Sequence, residues 1–318
     1  MLRGCPTHRA RPYIGMERVA VTWRGNYIAV DWGTTNRRAW LVNGASKVVS
    51  KFADDLGLTS VPESGFEKAV ADIREKLGQW PMLLAGMVGS DRGWRNVPYL
   101  SCPTDLEALG QGIMWIDPQF TGIVPGVCQI EGHTDVMRGE EVQALGALAG
   151  GFVSPDMLIC HPGTHTKWIK LEGGRIAEFR TMMTGEIFDL LRNHSLLATQ
   201  MHTEVTDNTS FQAGLDQALE GAPLLSALFT IRAQHLLLGD PIEGASFASG
   251  LLIGSDVRAG LAFADGHEKI AVVGRTDLCQ LYAKAIAHAS YQTDIIDGDK
   301  AFLAGIRTII SNFGTGPK

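Results

Sequence analysis

The apolar positions of the chain fall into short runs separated by glycine-rich turns, a pattern typical of β-strands. Three such runs lie between residues 27 and 52, and three more lie between residues 157 and 179. In each series the glycine of the first turn, Gly33 or Gly163, is followed eleven residues later by a glycine of the second turn. The matching spacing predicts two β-β-β units that arose by duplication.

Helical patterns follow each of these units. Apolar residues recur at helical spacing within 138–149 and dominate 247–263, and Thr276 is predicted to cap a helix that follows a strand at 270–273. Residues 93–135 contain scattered glycine and proline without clear periodicity, and we expect active-site loops there. This order of elements predicts a mixed α/β fold.

The repeat predicts two domains of similar architecture. We place an N-terminal domain at residues 27–150 and a C-terminal domain at 151–318, and the last helix is a candidate to pack across the cleft between them. The first 26 residues contain several arginines and lack the apolar segment of a signal peptide. We expect them to form a disordered extension.

Composition narrows the partners to small molecules. The chain is 45% hydrophobic and 19% charged, with a formal net charge of −6 and no run of basic residues, so it does not attract nucleic acid or an anionic membrane. Because no long stretch is wholly apolar, we expect no membrane span. The five scattered cysteines form no C-x-x-C pair, as is typical of reduced thiols in the cytoplasm. A homodimer is left open.

The two glycine-threonine turns are candidate phosphate-binding loops. Backbone N–H groups in such a turn between two strands form a concavity that binds anions. The residues of the two turns are Gly33, Thr34, Thr35, Asn36, Gly163, Thr164 and His165. The chain has neither the G-x-x-x-x-G-K-[ST] nor the G-x-G-x-x-G pattern, which excludes P-loop and Rossmann sites. Two turns from two domains could clamp a polyphosphate, which predicts phosphate transfer from ATP.

Acidic residues near these turns meet the other needs of phosphate transfer. Asp31 ends the first strand and is a candidate Mg²⁺ ligand, with a cap of its own turn as the alternative. Glu140 and Glu141 open the helix before the second unit, and one of them is a candidate general base, with a favourable helix-dipole interaction as the alternative. Glu140 is favoured for the cleft because Glu141 shares a helix face with apolar residues. The choice between the two stays open.

Two further features are less specific. His161 and His165 have i, i+4 spacing, but the Pro-Gly pair between them prevents the helix that a zinc site would need. Gly274 and Thr276, between a strand and a helix, are candidates to contact the adenosine of the nucleotide. Strand-glycine-helix units are common, so this pattern alone says little about function.

Several segments match one known family in their order along the chain. They are YIAVDWGTTN (27–36) with RAW (38–40), AGMVGS (85–90) with GW (93–94) and PY (98–99), VMRGEE (136–141), PGTHTKW (162–168), FRTMMTGE (179–186) and NHSL (193–196). With these segments the chain resembles the 2-dehydro-3-deoxygalactonokinase family over about residues 27–312. That resemblance implies phosphorylation of 2-keto-3-deoxygalactonate at its 6-hydroxyl with ATP.

The resemblance also implies a fold and a set of site residues. The family is similar to the actin, hexokinase and Hsp70 class, in which two ribonuclease H-like halves close on ATP and an acid at the position of Glu140 or Glu141 often acts as base. A keto-deoxy acid carries a carboxylate, for which Arg138 and Arg180 are candidate partners, with a salt-bridged surface or hinge residue as the alternative for each. Other substrate contacts are expected from the matching segments at Gly89, Ser90, Trp94 and Tyr99.

Two alternative functions remain beside this one. The same fold could phosphorylate another sugar, sugar acid or acylated amino sugar, because fold does not fix substrate. A non-catalytic sensor that closes on a nucleotide or a sugar is the second alternative. The acids Asp31, Glu140 and Glu141 argue against a sensor, and no DNA-binding segment is visible.

Overall fold

The computed structural model describes residues 23, 25–117, 120–239, 242–264 and 266–312. Most of the predicted N-terminal extension, 1–22 and residue 24, lies outside the described residues. Trp23 is buried, and its ring centroid lies 6.4 Å from that of Tyr27 and 5.8 Å from that of Trp115. The packed part of the chain therefore includes at least one residue of the predicted extension.

The described residues form strands and helices in alternation. The strands are β1 (Tyr27–Trp32), β2 (Arg37–Val42), β3 (Val48–Asp54), β4 (Met82–Gly86), β5 (Leu100–Ser101), β6 (Met114–Asp117), β7 (Thr121–Ile123), β8 (Val127–Gln129), β9 (Asp135–Met137), β10 (Met157–His161), β11 (Thr166–Glu172), β12 (Arg175–Met182), β13 (Lys269–Gly274) and β14 (Gln292–Asp297). The helices are α1 (Phe66–Leu77), α2 (Leu106–Gln111), α3 (Glu140–Ala149), α4 (Thr184–His194), α5 (Thr209–Leu219), α6 (Leu224–Leu238), α7 (Gly244–Leu261), α8 (Thr276–His288) and α9 (Gly298–Asn312). No described helix combines the length and apolar character needed to cross a membrane.

Two large sheets repeat one topology. The first has the strand order β3-β2-β1-β4-β7-β6, and the second has the order β12-β11-β10-β13-β14. In the first sheet β1, β2 and β3 are antiparallel neighbours, and β4 pairs in parallel with β1. In the second sheet β10, β11 and β12 are antiparallel neighbours, and β13 pairs in parallel with β10. The predicted fold class, two ribonuclease H-like α/β units, is confirmed, and the repeated topology agrees with the predicted repeat.

The stretch that lacked periodicity, 93–135, contains five short strands and helix α2. Strands β5, β8 and β9 form a small third sheet. This sheet rests on β12, because the Oε1 of Gln129 accepts a hydrogen bond of 2.9 Å from the backbone N–H of Phe179. Strands of two to four residues are too short to show a period, so the sequence pattern could not reveal them.

Helices α3 and α9 lie together at the centre of the molecule. A Cβ added at Gly146 of α3 would lie 2.0 Å from the carbonyl oxygen of Ala301 in α9, so the close approach requires glycine. The ring of Phe302 in α9 lies 5.4 Å from that of Trp40 in β2. Helix α9 therefore packs on α3 and also contacts the first sheet.

One local prediction was wrong. Thr276 is the first residue of α8 and does not cap it with its side chain. Arg275 occupies the cap position, and among the described residues its side chain bonds the carboxylate of Asp277 and caps no backbone N–H of the helix. Gly274, just before, has a φ of +152°, a backbone conformation that favours glycine. The chain enters α8 through this backbone geometry and not through a threonine cap.

Candidate active site

Asp31 lies at the end of β1, where its side chain is buried beside Arg38. The Oδ2 of Asp31 accepts a hydrogen bond of 2.5 Å from Nη2 of Arg38, and Nη1 of Arg38 lies 2.5 Å from Oδ1 of Asp299. Burial raises the pKa of Asp31, and the positive charge of Arg38 opposes that shift. The guanidinium of Arg38 thus contacts both Asp31 in β1 and Asp299 near the start of α9.

A glutamine of α3 joins the ends of the two equivalent strands β1 and β10. The Nε2 of Gln143 lies 3.4 Å from Oδ2 of Asp31, and its Oε1 lies 3.0 Å from Nε2 of His161. Asp31 and His161 lie close to the first and the second turn, respectively. The structure therefore brings the two predicted phosphate turns towards one place.

Glu140 opens α3 on the side that faces the second turn. Its Oε1 lies 3.2 Å from Nζ of the buried Lys167, and its Oε2 accepts a hydrogen bond of 3.1 Å from the backbone N–H of Arg138. Burial opposes ionisation of Glu140, but the positive charge of Lys167 lowers its pKa below the ordinary value. Glu140 is thus an ionised carboxylate at neutral pH and can accept a proton.

Glu141 points in a different direction and is fully buried. Both of its oxygens accept from the backbone N–H of Gly139, at 2.9 and 2.7 Å. Burial, with a smaller contribution from the charge of Glu140, raises the pKa of Glu141 to about 8. This contact stabilises the first turn of α3 and leaves the carboxylate without exposure to the cleft.

The first turn is held by the chain segment that follows β3. The carbonyl oxygens of Gly33, Thr34 and Thr35 accept hydrogen bonds from the backbone N–H groups of residues 57–59. A Cβ added at Gly57 would lie 2.2 Å from the backbone of Thr35, so this packing requires glycine. Asn36 closes the turn through a hydrogen bond of 2.8 Å from the N–H of Gly33 to its carbonyl oxygen.

The second turn is held by the start of α4. The carbonyl oxygen of Thr164 accepts a hydrogen bond of 2.9 Å from the N–H of Glu186, and Nε2 of His165 lies 2.5 Å from Oε2 of Glu186. A Cβ added at Gly185 would lie 2.5 Å from the carbonyl oxygen of Gly163. Helix α4 therefore sets the shape of this turn and the position of the imidazole.

The predicted nucleotide contacts after β13 lie beside the same strand ends. A Cβ added at Gly274 would lie 3.6 Å from the carbonyl oxygen of Pro162, next to the second turn. Gly298, at the start of α9, approaches the backbone of Gly274, because its added Cβ would lie 3.1 Å from that Cα. Thr276 is exposed at the start of α8.

Three of the predicted substrate residues lie together. The guanidinium carbon of Arg138 lies 4.2 Å from the ring centroid of Tyr99, and a Cβ added at Gly89 would lie 2.9 Å from Nη1 of Arg138. Arg138 is buried and donates a hydrogen bond of 2.7 Å from Nη2 to the carbonyl oxygen of Val97. Its Nε and Nη1 have no acceptor within the described part of the chain.

The other predicted substrate residues are placed differently. Ser90 is buried and its hydroxyl donates to the carbonyl oxygen of Met87 at 2.8 Å, while Trp94 packs on the core of the first sheet. Arg180 pairs with Trp168 across β11 and β12, whereas Lys167 pairs with the next residue of β12. Since adjacent strand residues face opposite sides, Arg180 lies on the face away from Glu140, against Phe263. The structure does not bring Arg180 to the candidate site.

Comparison with known proteins places this arrangement in a family. The family described as 2-keto-3-deoxy-galactonokinase matches residues 31–309. The chain belongs to this family. It is 38% identical to the 2-dehydro-3-deoxygalactonokinase of Escherichia coli K12 over 289 residues, which cover 89% of this chain and 97% of the relative. A solved structure from Sinorhizobium meliloti with the same activity name matches with a TM-score of 0.83 at 30% identity, covering 92% of this chain and all of the other.

In this member of the 2-keto-3-deoxy-galactonokinase family, the structure brings to the candidate site residues that sequence reasoning missed. Gln143 and Asp299 were not predicted to take part, and Lys167 and Glu186 were quoted only as parts of matching segments. Lys167 offers one signal, since it follows the second glycine-threonine turn by two residues, and Gln143 offers another, since it lies three residues after Glu140 on the same helix face. Asp299 offers none, because only the folded chain brings it to Arg38.

The carboxylates of the candidate site suit a magnesium ion that binds together with a nucleotide. No group of three or more His, Cys, Asp or Glu side chains in the described ranges could hold a metal ion by itself. Magnesium usually takes one or two protein carboxylates and completes its shell with water and phosphate oxygens. Asp31, with Asp299 across Arg38, supplies carboxylate oxygens of this kind. When bound with ATP, the ion would neutralise phosphate charge.

Proposed function

We propose that this protein transfers the γ-phosphoryl group of ATP to the 6-hydroxyl of 2-dehydro-3-deoxygalactonate. The observation that carries the proposal is the 38% identity to the Escherichia coli 2-dehydro-3-deoxygalactonokinase over 97% of that enzyme's length. The convergence of two matching turns on one group of acids supports it. ATP would lie between the two halves of the chain, 27–150 and 151–318, with its phosphates at the turns that contain Gly33 and Gly163.

The reaction needs a base, and Glu140 is our candidate. Its carboxylate is ionised and partly exposed, whereas that of Glu141 is enclosed against the backbone of α3. As the O6–P bond forms and the bond from the γ-phosphorus to the bridging oxygen of ADP breaks, Glu140 takes the proton of the 6-hydroxyl. Such proton transfer typically contributes a factor of about 10² to 10⁴ to the rate.

The other residues hold and orient the reactants. We assign Asp31 to Mg²⁺, and we assign Lys167 to keeping Glu140 ionised and in place before the substrate arrives. Arg138, with its two donors that lack acceptors, is our candidate partner for the substrate carboxylate. The cytoplasm is our proposed site of action, supported by the free thiols of the four cysteines that the structure describes, Cys102, Cys128, Cys160 and Cys279.

An ADP-release assay over a panel of acceptors tests this function. The panel contains 2-dehydro-3-deoxygalactonate, its C4 epimer 2-dehydro-3-deoxygluconate, galactonate and galactose. We expect the highest kcat/KM with the first, and phosphorus NMR of the product should place the phosphate on C6. Highest activity on a neutral sugar, or ATP binding without turnover on any acceptor, would contradict the proposal.

A further inference from the structure

The side chain of Gln143 forms hydrogen bonds with residues at both strand ends of the candidate site, Asp31 and His161. It lies one turn after Glu140 on α3 and is buried, with 6% of its surface exposed. Its amide nitrogen faces Asp31 at 3.4 Å and its amide oxygen faces His161 at 3.0 Å. The first contact is long for an N–H···O bond, as active-site hydrogen bonds often are before the ligands bind.

The hydrogen-bond pattern fixes which way the amide points. The Oδ2 of Asp31 already accepts a hydrogen bond from Arg38, so the group of Gln143 that faces it has to be the NH₂. The amide oxygen then accepts from His161, which therefore carries its proton on Nε2. The Nδ1 of His161 is buried without a partner among the described residues, as expected for a neutral ring with this tautomer.

The start of α9 approaches the amide closely. A Cβ added at Gly298 would lie 2.6 Å from Oε1 of Gln143 and 3.1 Å from the Cα of Gly274. Contacts under 3.0 Å are not tolerated, so any larger residue at 298 has to displace the amide or the backbone of β13. The glycine therefore preserves the space that Gln143 occupies.

We propose that Gln143 is a positioning residue that orients the Asp31 carboxylate for the magnesium–nucleotide complex and ties it to the strand end before the second turn. This inference rests on the proposed assignment of Asp31 to Mg²⁺. A residue that orients a metal-binding carboxylate typically changes metal affinity or activity by about 10- to 100-fold when it is replaced. Gln143 would act on the ion only through Asp31.

Nucleotide binding, measured apart from turnover, tests the role. Calorimetric titration of the full-length protein with ADP, once with Mg²⁺ and once with EDTA, gives the factor by which the ion tightens binding. Gln143→Met keeps the length of the side chain and removes both hydrogen bonds. We expect this factor to fall about tenfold or more in the variant, while the affinity for ADP in EDTA stays the same.

Matched controls separate positioning from packing. Gln129→Met also removes a buried amide bonded at both ends, to the carbonyl oxygen of His133 and the N–H of Phe179, but far along the chain from Asp31. It should lower thermal stability without changing the effect of Mg²⁺. Gly298→Ala perturbs the amide of Gln143 by steric contact and should reduce the effect of Mg²⁺, and Gly110→Ala, whose Cβ would have an ordinary contact of 3.6 Å, should not.

The outcomes are distinct. A folded Gln143→Met protein with the wild-type effect of Mg²⁺, or an equal loss in Gln129→Met, overturns the inference. If Gln143→Met does not fold, a wild-type effect of Mg²⁺ in Gly298→Ala overturns it. Failure of the proposed function would appear differently, as wild-type protein that binds ADP with Mg²⁺ but phosphorylates no acid of the panel.

Discussion

Arg38 and Asp299 are 261 positions apart in the chain, yet Nη1 of the arginine lies 2.5 Å from Oδ1 of the aspartate. The same guanidinium binds Asp31 through Nη2. The side chain of Arg38 thereby connects the end of β1 with the start of α9. Because Asp31 is buried and Asp299 is partly exposed, the two contacts should differ in energy.

We expect Asp299→Asn to cost little stability and Arg38→Met to cost much more. Arg38 and Asp299 are 35% and 38% exposed, and ion pairs with such exposure contribute about 0.2–1 kcal/mol. Arg38→Met leaves the buried Asp31 carboxylate without its partner, which costs about 3–5 kcal/mol in comparable cases. Urea denaturation of both variants measures the difference. Equal losses would show that the buried contact is not the dominant one.

Asp31→Asn should remove most turnover. If Asp31 binds Mg²⁺, its loss should lower kcat at physiological Mg²⁺ by at least about 100-fold. The side chain is buried against Arg38, so we also expect some loss of stability. Asp54→Asn is the matched control, because Asp54 pairs with the buried Arg37 at 2.8 Å on the same sheet. A comparable loss of turnover in Asp54→Asn would show that disturbing the first sheet is enough to lower kcat, without loss of an Mg²⁺ ligand.

Glu140→Gln should lower kcat by about 10² to 10⁴, the typical contribution of a general base. The affinity for ATP should barely change, since the residue acts on the acceptor hydroxyl. Glu141→Gln should keep nearly the full rate, because both oxygens of Glu141 bind the N–H of Gly139. Steady-state kinetics of the two variants provide the check. Full activity in Glu140→Gln would mean that the base lies elsewhere.

The stability of the protein should fall between about pH 4.5 and pH 8 through Glu141. Its pKa is about 8 in the folded chain against 4.5 for the unperturbed group, so the folded state binds the proton more tightly. Stability from this group is complete below about pH 4.5 and is lost as the pH rises through 8. Melting temperatures of the wild type and Glu141→Gln at pH 5.5 and 8.5 should differ in slope, with the variant flatter. Parallel slopes would contradict this prediction.

Gly185→Ala should raise the KM for ATP. Its Cβ would lie 2.5 Å from the carbonyl oxygen of Gly163 and 2.9 Å from the Cα of Thr164, so the second turn has to move. Glu186, the next residue, holds His165, which should shift with the helix. Gly110→Ala serves as a control for a helical glycine with space for a methyl group. An unchanged KM for ATP in Gly185→Ala would show that the second turn does not bind the phosphates.

Much of the fold follows from local sequence. Buried strands such as Tyr27–Trp32 and Met157–His161 are apolar runs that end at glycine turns, so their positions and their repeat could be read directly. The helix Glu140–Ala149 follows in the same way from its apolar periodicity. Short strands such as Val127–Gln129 could not be predicted, since three residues are too few to show a period and a contact that supports them comes from β12, about 50 residues further along the chain.

For the candidate site, the sequence by itself determined which residue types are available and where the turns lie. It identified Asp31, both glutamates and the two glycine-threonine turns, because strand ends and helix starts are local features. The helix face already favoured Glu140 over Glu141 for the cleft, and the tertiary structure adds their different contacts, with Lys167 and with the N–H of Gly139. Only the tertiary structure shows that Asp299 contacts Arg38 and that Arg180 lies on the face of the second sheet away from Glu140. These outcomes depend on the packing of α9 and on the register of β11 and β12, which are set by contacts between distant segments.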